Sequence, residues 1–283
     1  AALQRDDLAL KVEIPGLVGV SWEERYREVT YGELNRRAMA VALAFVERGC
    51  DGPVLIAREM GFDWVASFFG CLYANRIAVP LPEPRKGKEG SHWRSVALDS
   101  GADTVLTSAA VRSYFVSESG LDTIVVEELS DAEFSPIAIN PSEVAFLQYT
   151  SGSTGNPKGV VVTHGNLDHN LAAIQERFGH DEKSRGVIWL PPYHDMGLIG
   201  GILQPIQTGF PVLLMAPASF IRSPFRWLEA VSRFRATTSG GPSFAYQSAA
   251  RRVNDSQKAE LDLSSWSICL LYTSDAADEV VSV

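Results

Sequence analysis

The amino-acid sequence predicts an α/β protein in which parallel-rich sheets are covered by helices. Short apolar runs of strand type alternate with helical stretches along most of the chain. Several of those helices announce their ends with capping residues. With 283 residues, 46% of them hydrophobic and 21% charged, the chain is long and apolar enough to bury one large or two modest cores. A βαβα rhythm implies crossover helices between parallel strands.

The elements follow in order. Thr30-Tyr31-Gly32-Glu33 is a capping box, and the helix it starts is expected to run to Glu47 and close at Gly49. Val54–Ala57 reads as a buried strand, followed by an apolar helix over Trp64–Tyr73 and a strand over Ile77–Pro80. The charged Pro82–Gly90 patch reads as an exposed loop, after which a helix starts at Ser91 and a strand covers Thr104–Leu106. Val144–Tyr149 and Val160–Thr163 are short, apolar and partly β-branched, as strands are. Beyond them the pattern gives a helix over Asn166–Phe178, a strand over Val187–Leu190, a helix over Leu198–Gln207 and a strand over Pro211–Met215. A helix over Pro224–Arg235 and a strand over Ala236–Thr238 complete the series.

The most informative segment joins the two strands on either side of residue 155. Tyr149-Thr150-Ser151-Gly152-Ser153-Thr154-Gly155-Asn156-Pro157-Lys158-Gly159 holds four aliphatic hydroxyls, three glycines, one lysine and no acid. Glycines let backbone N–H groups approach a ligand closely, and N–H groups, hydroxyls and an ammonium together make a cradle for a polyanion. A nucleotide triphosphate is the polyanion that suits it. The segment is not a P-loop, because Pro157 precedes Lys158 and Gly159 follows it. Nor is it a nucleophile elbow, since Ser151 stands where the first glycine belongs. By composition alone, a Ser/Gly hairpin loop is the competing reading.

A second segment, Trp189-Leu190-Pro191-Pro192-Tyr193-His194-Asp195-Met196-Gly197-Leu198-Ile199-Gly200-Gly201-Ile202-Leu203-Gln204-Pro205, places His194 on a proline-stiffened loop at a strand's end. His194 beside Tyr193 and Asp195 is either a site residue or a structural hydrogen-bonding group. A third segment, Ser239-Gly240-Gly241-Pro242-Ser243, allows a close backbone approach at the end of the Ala236–Thr238 strand, or a simple turn.

Together these runs resemble the adenylate-forming superfamily of acyl-CoA synthetases, fatty acyl-AMP ligases, luciferases and nonribosomal adenylation domains. The phosphate loop carries the superfamily. The second segment, and the run from Arg226-Trp227-Leu228 through Arg235-Ala236-Thr237 to Ser239-Gly240-Gly241-Pro242-Ser243-Phe244-Ala245-Tyr246, are most similar to the fatty acyl-AMP ligase branch, and the likeness runs from about Thr30 to Ile268. The resemblance implies a partial N-terminal large domain with two packed, parallel-rich α/β sheets flanked by helices. It also implies ATP and Mg²⁺ as cofactors and a fatty acid as substrate. The acceptor would be an acyl carrier protein or the phosphopantetheine of a polyketide synthase, with coenzyme A as the alternative.

Thr150, Ser151, Gly152, Ser153, Thr154, Gly155 and Lys158 would then hold the β- and γ-phosphates. His194 would lie between the acyl carboxylate and the phosphates and act in catalysis. His194, Asp195, Met196, Gly240, Gly241 and Pro242 would border the substrate, although packing roles compete for Asp195 and Met196. Leu198, Ile199, Ile202, Phe210 and Phe244 are candidates for an acyl tunnel, with ordinary core packing as the alternative. Long-chain acyl-CoA synthesis, a loading adenylation domain and a catalytically silent nucleotide-binding remnant stay open as other functions.

A net charge of −9 offers no electrostatic reason for binding nucleic acid or an anionic membrane. The most apolar stretch, Trp64–Ala74, is too short to span a bilayer. Cys50, Cys71 and Cys269 lack metal or redox spacing, and buried reduced thiols fit a cytoplasmic protein. His164 and His169 stand five apart and would not share a helix face, which argues against metal ligation. Ala1 opens in mid-pattern, so a fragment is expected at that end. The run from Cys269 resembles a translated sequencing adaptor. Residues 1–268 are therefore expected to be a partial AMP-binding domain and 269–283 a non-native tail, with the chain inactive by itself.

Overall fold

In the computed structural model, the described residues are 6–14, 20–84, 91–116, 120–150 and 157–272. The chain opens with β1 (Leu8–Glu13), α1 (Trp22–Arg25), β2 (Tyr26–Thr30) and α2 (Tyr31–Arg48). It continues with β3 (Val54–Ala57), α3 (Phe62–Tyr73), β4 (Ala78–Leu81), α4 (Ser91–Ser100), β5 (Thr104–Thr107), α5 (Ser113–Val116) and β6 (Asp122–Val125). Next come β7 (Val144–Thr150), β8 (Lys158–Thr163), α6 (His164–Phe178) and β9 (Gly186–Ile188). A π-helix over Met196–Leu203 leads into α7 (Gln204–Thr208), β10 (Val212–Leu214), α8 (Pro217–Arg222) and α9 (Phe225–Phe234). The last described elements are β11 (Thr238–Pro242), α10 (Ser243–Arg252), α11 (Asp255–Ala259) and β12 (Ile268–Tyr272).

The strands form two six-stranded sheets, ordered β12-β11-β9-β10-β1-β2 and β6-β5-β3-β4-β7-β8. Pairing is parallel except for β1–β2 and β7–β8, which put one antiparallel strand at an edge of each sheet. The expected two parallel-rich sheets are therefore present. Successive residues of β3 point to opposite faces. Val54 and Ile56 join a core that runs from sheet to sheet through α2 and α3. Leu55 and Ala57 join a second core with Trp93, Val105 and Phe115. A strand buried on both faces has no room for a polar residue, which explains its uninterrupted apolar run.

Local signals set the helix ends. In α2 the Glu33 amide donates to Thr30 Oγ1 at 3.1 Å, the Thr30 amide donates to Glu33 Oε2 at 2.8 Å, and Gly49 closes the helix at φ +66°. The same logic starts α6 at Thr163 with Asn166, and Gly179 ends it.

Four readings need correction. The strand expected at Ala236–Thr238 is β11 over Thr238–Pro242, so Gly240-Gly241-Pro242 is strand and not a turn beyond it. The strand expected to reach Leu190 ends at Ile188, and the helix expected from Leu198 begins as a π-helix at Met196. β1, α1, β2, β6, α5, α8, α10 and α11 were not anticipated. β12 takes in Cys269–Tyr272, four residues set outside the domain on sequence grounds, and pairs them in parallel with Ser239–Pro242. Among the described residues, no helix is long and apolar enough to cross a membrane.

Candidate active site

Both motif segments leave the carboxyl ends of parallel strands, the edge at which open α/β sheets place their ligands. The hairpin leaves β7 in one sheet, and the His194 turn leaves β9 in the other. At the hairpin's base Thr150 pairs with Lys158 and Tyr149 with Gly159. The expected strand-to-strand connection is thus an antiparallel hairpin, with the Lys158 side chain exposed. Ser151, Gly152, Ser153, Thr154 and Gly155 lie outside the described residues. The Tyr149 ring lies over Gly159, 2.9 Å from where a Cβ would stand, and its hydroxyl donates to Asp99 Oδ2 of α4 at 2.6 Å. Burial, with Asp99 close by, pushes the Tyr149 phenol well above its ordinary range.

Aromatic packing anchors the start of the His194 turn. Trp189 stacks on Phe220 with ring centroids 3.9 Å apart and meets Trp227 edge-on. Pro191 and Pro192 are buried. The turn then closes on itself: the His194 amide donates to Pro191 O at 3.1 Å and the Leu198 amide to His194 O at 2.8 Å. Gly197 is required at this closure, because a Cβ there would stand 2.0 Å from Pro191 O. His194 Nδ1 meets Asp195 Oδ1 at 2.9 Å, and the same oxygen accepts the Met196 amide at 2.6 Å. The His194 hydrogen bond and then the Met196 amide hold the Asp195 carboxyl below its ordinary value. A carboxylate acceptor at Nδ1 places a proton on that nitrogen and sets the ring's orientation. Asp195, with a side chain 63% exposed, thus orients His194.

In β11, Gly240 lets Leu270 O of β12 come within 2.3 Å of its would-be Cβ position. Any side chain there would part the two strands. Gly241 faces the Trp189 ring in the same way at 2.8 Å. A cavity of about 20 Å³ lies between the π-helix and these strands, lined in part by Ile188, Leu190, Met196, Gly200, Gly240 and Leu270. That volume holds about one water. Met196 and Gly240 meet there, whereas His194, Asp195, Gly241 and Pro242 do not line it. Leu198, Ile202 and Phe210 are core residues, and Ile199 and Phe244 pack against the core. None of these five lines the cavity.

Three residues that sequence reading passed over belong to this region. Gln148 of β7 donates from Nε2 to the Tyr193 carbonyl, 45 residues away, and so joins the hairpin strand to the His194 turn. Its signal was a single amide in an otherwise apolar strand. Asp99 holds Tyr149. Tyr272, whose phenol is raised to about 12 by burial and then by Asp195, ends β12 beside the turn. Among the described residues, no group of three or more His, Cys, Asp or Glu side chains is placed to hold a metal ion.

The two-sheet α/β fold, with the β7–β8 hairpin and the histidine turn at the carboxyl ends of its strands, is the fold of the N-terminal domain of adenylate-forming proteins. Residues 4–282 match the AMP-binding enzyme family, and the chain belongs to that family. It is 36% identical over 261 residues to the medium-chain fatty acid–acyl-carrier-protein ligase JamA of Moorena producens, covering 86% of this chain and 44% of that protein. It is 35% identical over 259 residues to the long-chain fatty acid–AMP ligase FadD28 of Mycobacterium tuberculosis, covering 86% of this chain and 45% of that one. The fatty acyl-adenylate ligase of Legionella pneumophila, solved with acyl adenylate and pyrophosphate, superposes with a TM-score of 0.86 at 33% identity. That match covers 96% of this chain and 48% of the other. The chain spans a little under half the length of these relatives.

Proposed function

We infer that the native protein containing this chain uses ATP to convert a fatty acid to an acyl-adenylate and then delivers the acyl group to a carrier thiol. The observation that carries this reading is the convergence of two distant motifs. Gln148, two residues before Thr150, is bonded to Tyr193, the neighbour of His194. The relatives described as fatty acid ligases support the choice of substrate.

A carboxylate is a poor electrophile at neutral pH. In this reading its oxygen attacks the α-phosphorus, the bond from that phosphorus to the pyrophosphate oxygen breaks, and pyrophosphate leaves. The thiol then attacks the acyl carbonyl carbon, loses its proton, and AMP departs. Hydroxyls and N–H groups of Thr150–Gly155, with Lys158, hold the β- and γ-phosphates. Charge-assisted bonds of this kind contribute about 1.5–3 kcal/mol each. His194, oriented by Asp195, stabilises the charge that develops between carboxylate and phosphorus.

Mg²⁺ would be carried by the triphosphate and would supply neutralisation of its charge. Phosphate oxygens would be its main ligands, and the hydroxyls of Thr150, Ser151, Ser153 and Thr154 could complete its oxygen shell. The acyl chain enters beside Met196 and Gly240, where a flexible thioether can give way to it. The acceptor is the phosphopantetheine thiol of a carrier protein or polyketide synthase. The free, buried thiols of Cys50 and Cys71 support action in the cytoplasm.

Exchange of labelled pyrophosphate into ATP, measured with the native protein, tests the reading. Exchange that requires dodecanoate, followed by transfer to a carrier protein in preference to coenzyme A, is the expected result. Exchange indifferent to fatty acid, or none at all, would refute it.

A further inference from the structure

Gln148 is 9% exposed, and its amide crosses from one sheet's strand to a turn that belongs to the other. The bond it makes is to main chain. Nε2 donates to the carbonyl of Tyr193, so what it holds is the path of the backbone immediately before His194. The turn's other main-chain bonds near this point are short-range: His194 N to Pro191 O and Leu198 N to His194 O. They fix the turn's local shape, while the Gln148 bond reaches it from a strand of the other sheet. On the other side, the ladder runs through Gln148–Val160 and Tyr149–Gly159 to Thr150–Lys158. The amide therefore stands two rungs from the hairpin's base.

The other half of the amide sharpens the point. Oε1 is buried and accepts no hydrogen bond from the described residues. A buried acceptor without a protein donor is unfavourable, and an apolar side chain of the same length would fill the space without that penalty. Space-filling therefore does not account for glutamine at this position. Its donor does.

We propose that Gln148 is a positioning residue, which holds the His194 turn in register with the phosphate hairpin and acts on adenylate formation through His194. The kinetic part of this proposal rests on the acyl-adenylate reading above; the structural part does not. Near-attack geometry explains why such a tether matters, since misplacement of a reacting group by about 1 Å can cost on the order of a hundredfold in rate.

The test uses Gln148→Met in the native protein, which keeps the side chain's length and removes the donor. Hydrogen exchange of the amides of residues 193–198 should accelerate about tenfold, as loss of one ordinary hydrogen bond allows, while α2 stays unchanged. The kcat for acyl-adenylate formation should fall about tenfold, with KM for ATP and for fatty acid within about twofold. In a His194→Ala background the same substitution should cost less than about twofold, because residues acting as a unit are not additive. Unchanged exchange at 193–198, or a full additional loss in the His194→Ala background, overturns the proposal. Should the wild-type protein form no acyl-adenylate, the functional reading fails, and the exchange experiment alone decides whether the tether exists.

If Gln148→Met does not fold, Gln148→Glu replaces it. A buried carboxyl titrates high and donates again once protonated. Exchange of the turn, corrected for its intrinsic pH dependence, should then be fast at alkaline pH and slow again in acid. Equal protection at both pH values overturns the proposal.

Discussion

Gly197→Ala is the substitution from which the structure predicts the largest effect per atom added. The new Cβ would stand 2.0 Å from Pro191 O, 2.7 Å from Pro191 C and 2.8 Å from Leu190 O. Ordinary contact begins at 3.4 Å, so the first of these falls short by the difference, about 1.4 Å. All three neighbours are backbone and cannot rotate away. The Pro191–His194 turn or the π-helix must retreat instead, and His194 moves with either. Overpacking of this kind costs about 1–3 kcal/mol of stability. A displacement of about 1 Å at the reacting geometry costs on the order of a hundredfold in rate.

Gly200→Ala is the internal control for stability. It lies in the same π-helix, and nothing stands within 4 Å of its would-be Cβ. It should leave stability unchanged or raise it by up to about 1 kcal/mol through helix propensity. Urea unfolding gives the stability of both variants, and single-turnover acyl-adenylate formation gives the rate for Gly197→Ala. If Gly197→Ala unfolds like Gly200→Ala and retains the wild-type rate, the close-packing argument for this turn is wrong.

Other outcomes follow from the same geometry. His194→Ala should slow adenylate formation about a hundredfold, as loss of one preorganised charge stabiliser does, while equilibrium binding leaves ATP affinity within about twofold; a parallel fall in both would make His194 a phosphate ligand. Tyr149→Phe keeps the ring over Gly159 and removes the bond to Asp99. KM for ATP should rise roughly two- to tenfold, the range for one ordinary hydrogen bond, and an unchanged KM would show that this tether does not position the hairpin.

Stability should also fall in mild acid. Burial beside Phe178 and Phe210 holds the His180 imidazole below its ordinary 6.5. The unfolded chain takes up that proton first, so its contribution is complete above 6.5 and is lost as pH falls toward the folded value. His180→Phe should flatten urea-derived stability between about pH 7.5 and 5.5, leaving the contribution of His164, which burial also lowers. An identical slope in the variant would contradict this.

What was legible in the sequence was what depends on near neighbours. α2 was readable because Thr30, Glu33 and Gly49 write its ends locally, and β3 because burial on both faces leaves an unbroken apolar run. β11 was misplaced for the opposite reason. Thr238-Ser-Gly-Gly-Pro has little strand propensity, and pairing with Ile268–Tyr272 and Gly186–Val187 makes it a strand. β1 was missed because Lys11 sits inside its apolar run and Glu13 ends it. That carboxylate is buried and accepts from the Ala216 amide at 2.8 Å and Ser219 Oγ at 2.9 Å, two hundred residues on. The candidate site divides along the same line. The hairpin and the His194 turn could be read from consecutive residues. The Gln148 tether could not, because its partner is a main-chain carbonyl, and a carbonyl has no sequence signature.

The central claim is that a fatty acid carboxylate attacks the α-phosphorus of ATP. Carboxylate-labelled [¹⁸O]dodecanoate, turned over by the native protein with ATP, Mg²⁺ and a carrier protein, tests it directly. Mass spectrometry of the products should find one ¹⁸O in AMP and none in pyrophosphate, because the carboxylate oxygen bridges acyl group and phosphorus in the intermediate. Unlabelled AMP, or label in inorganic phosphate with ADP as the other product, would contradict the account.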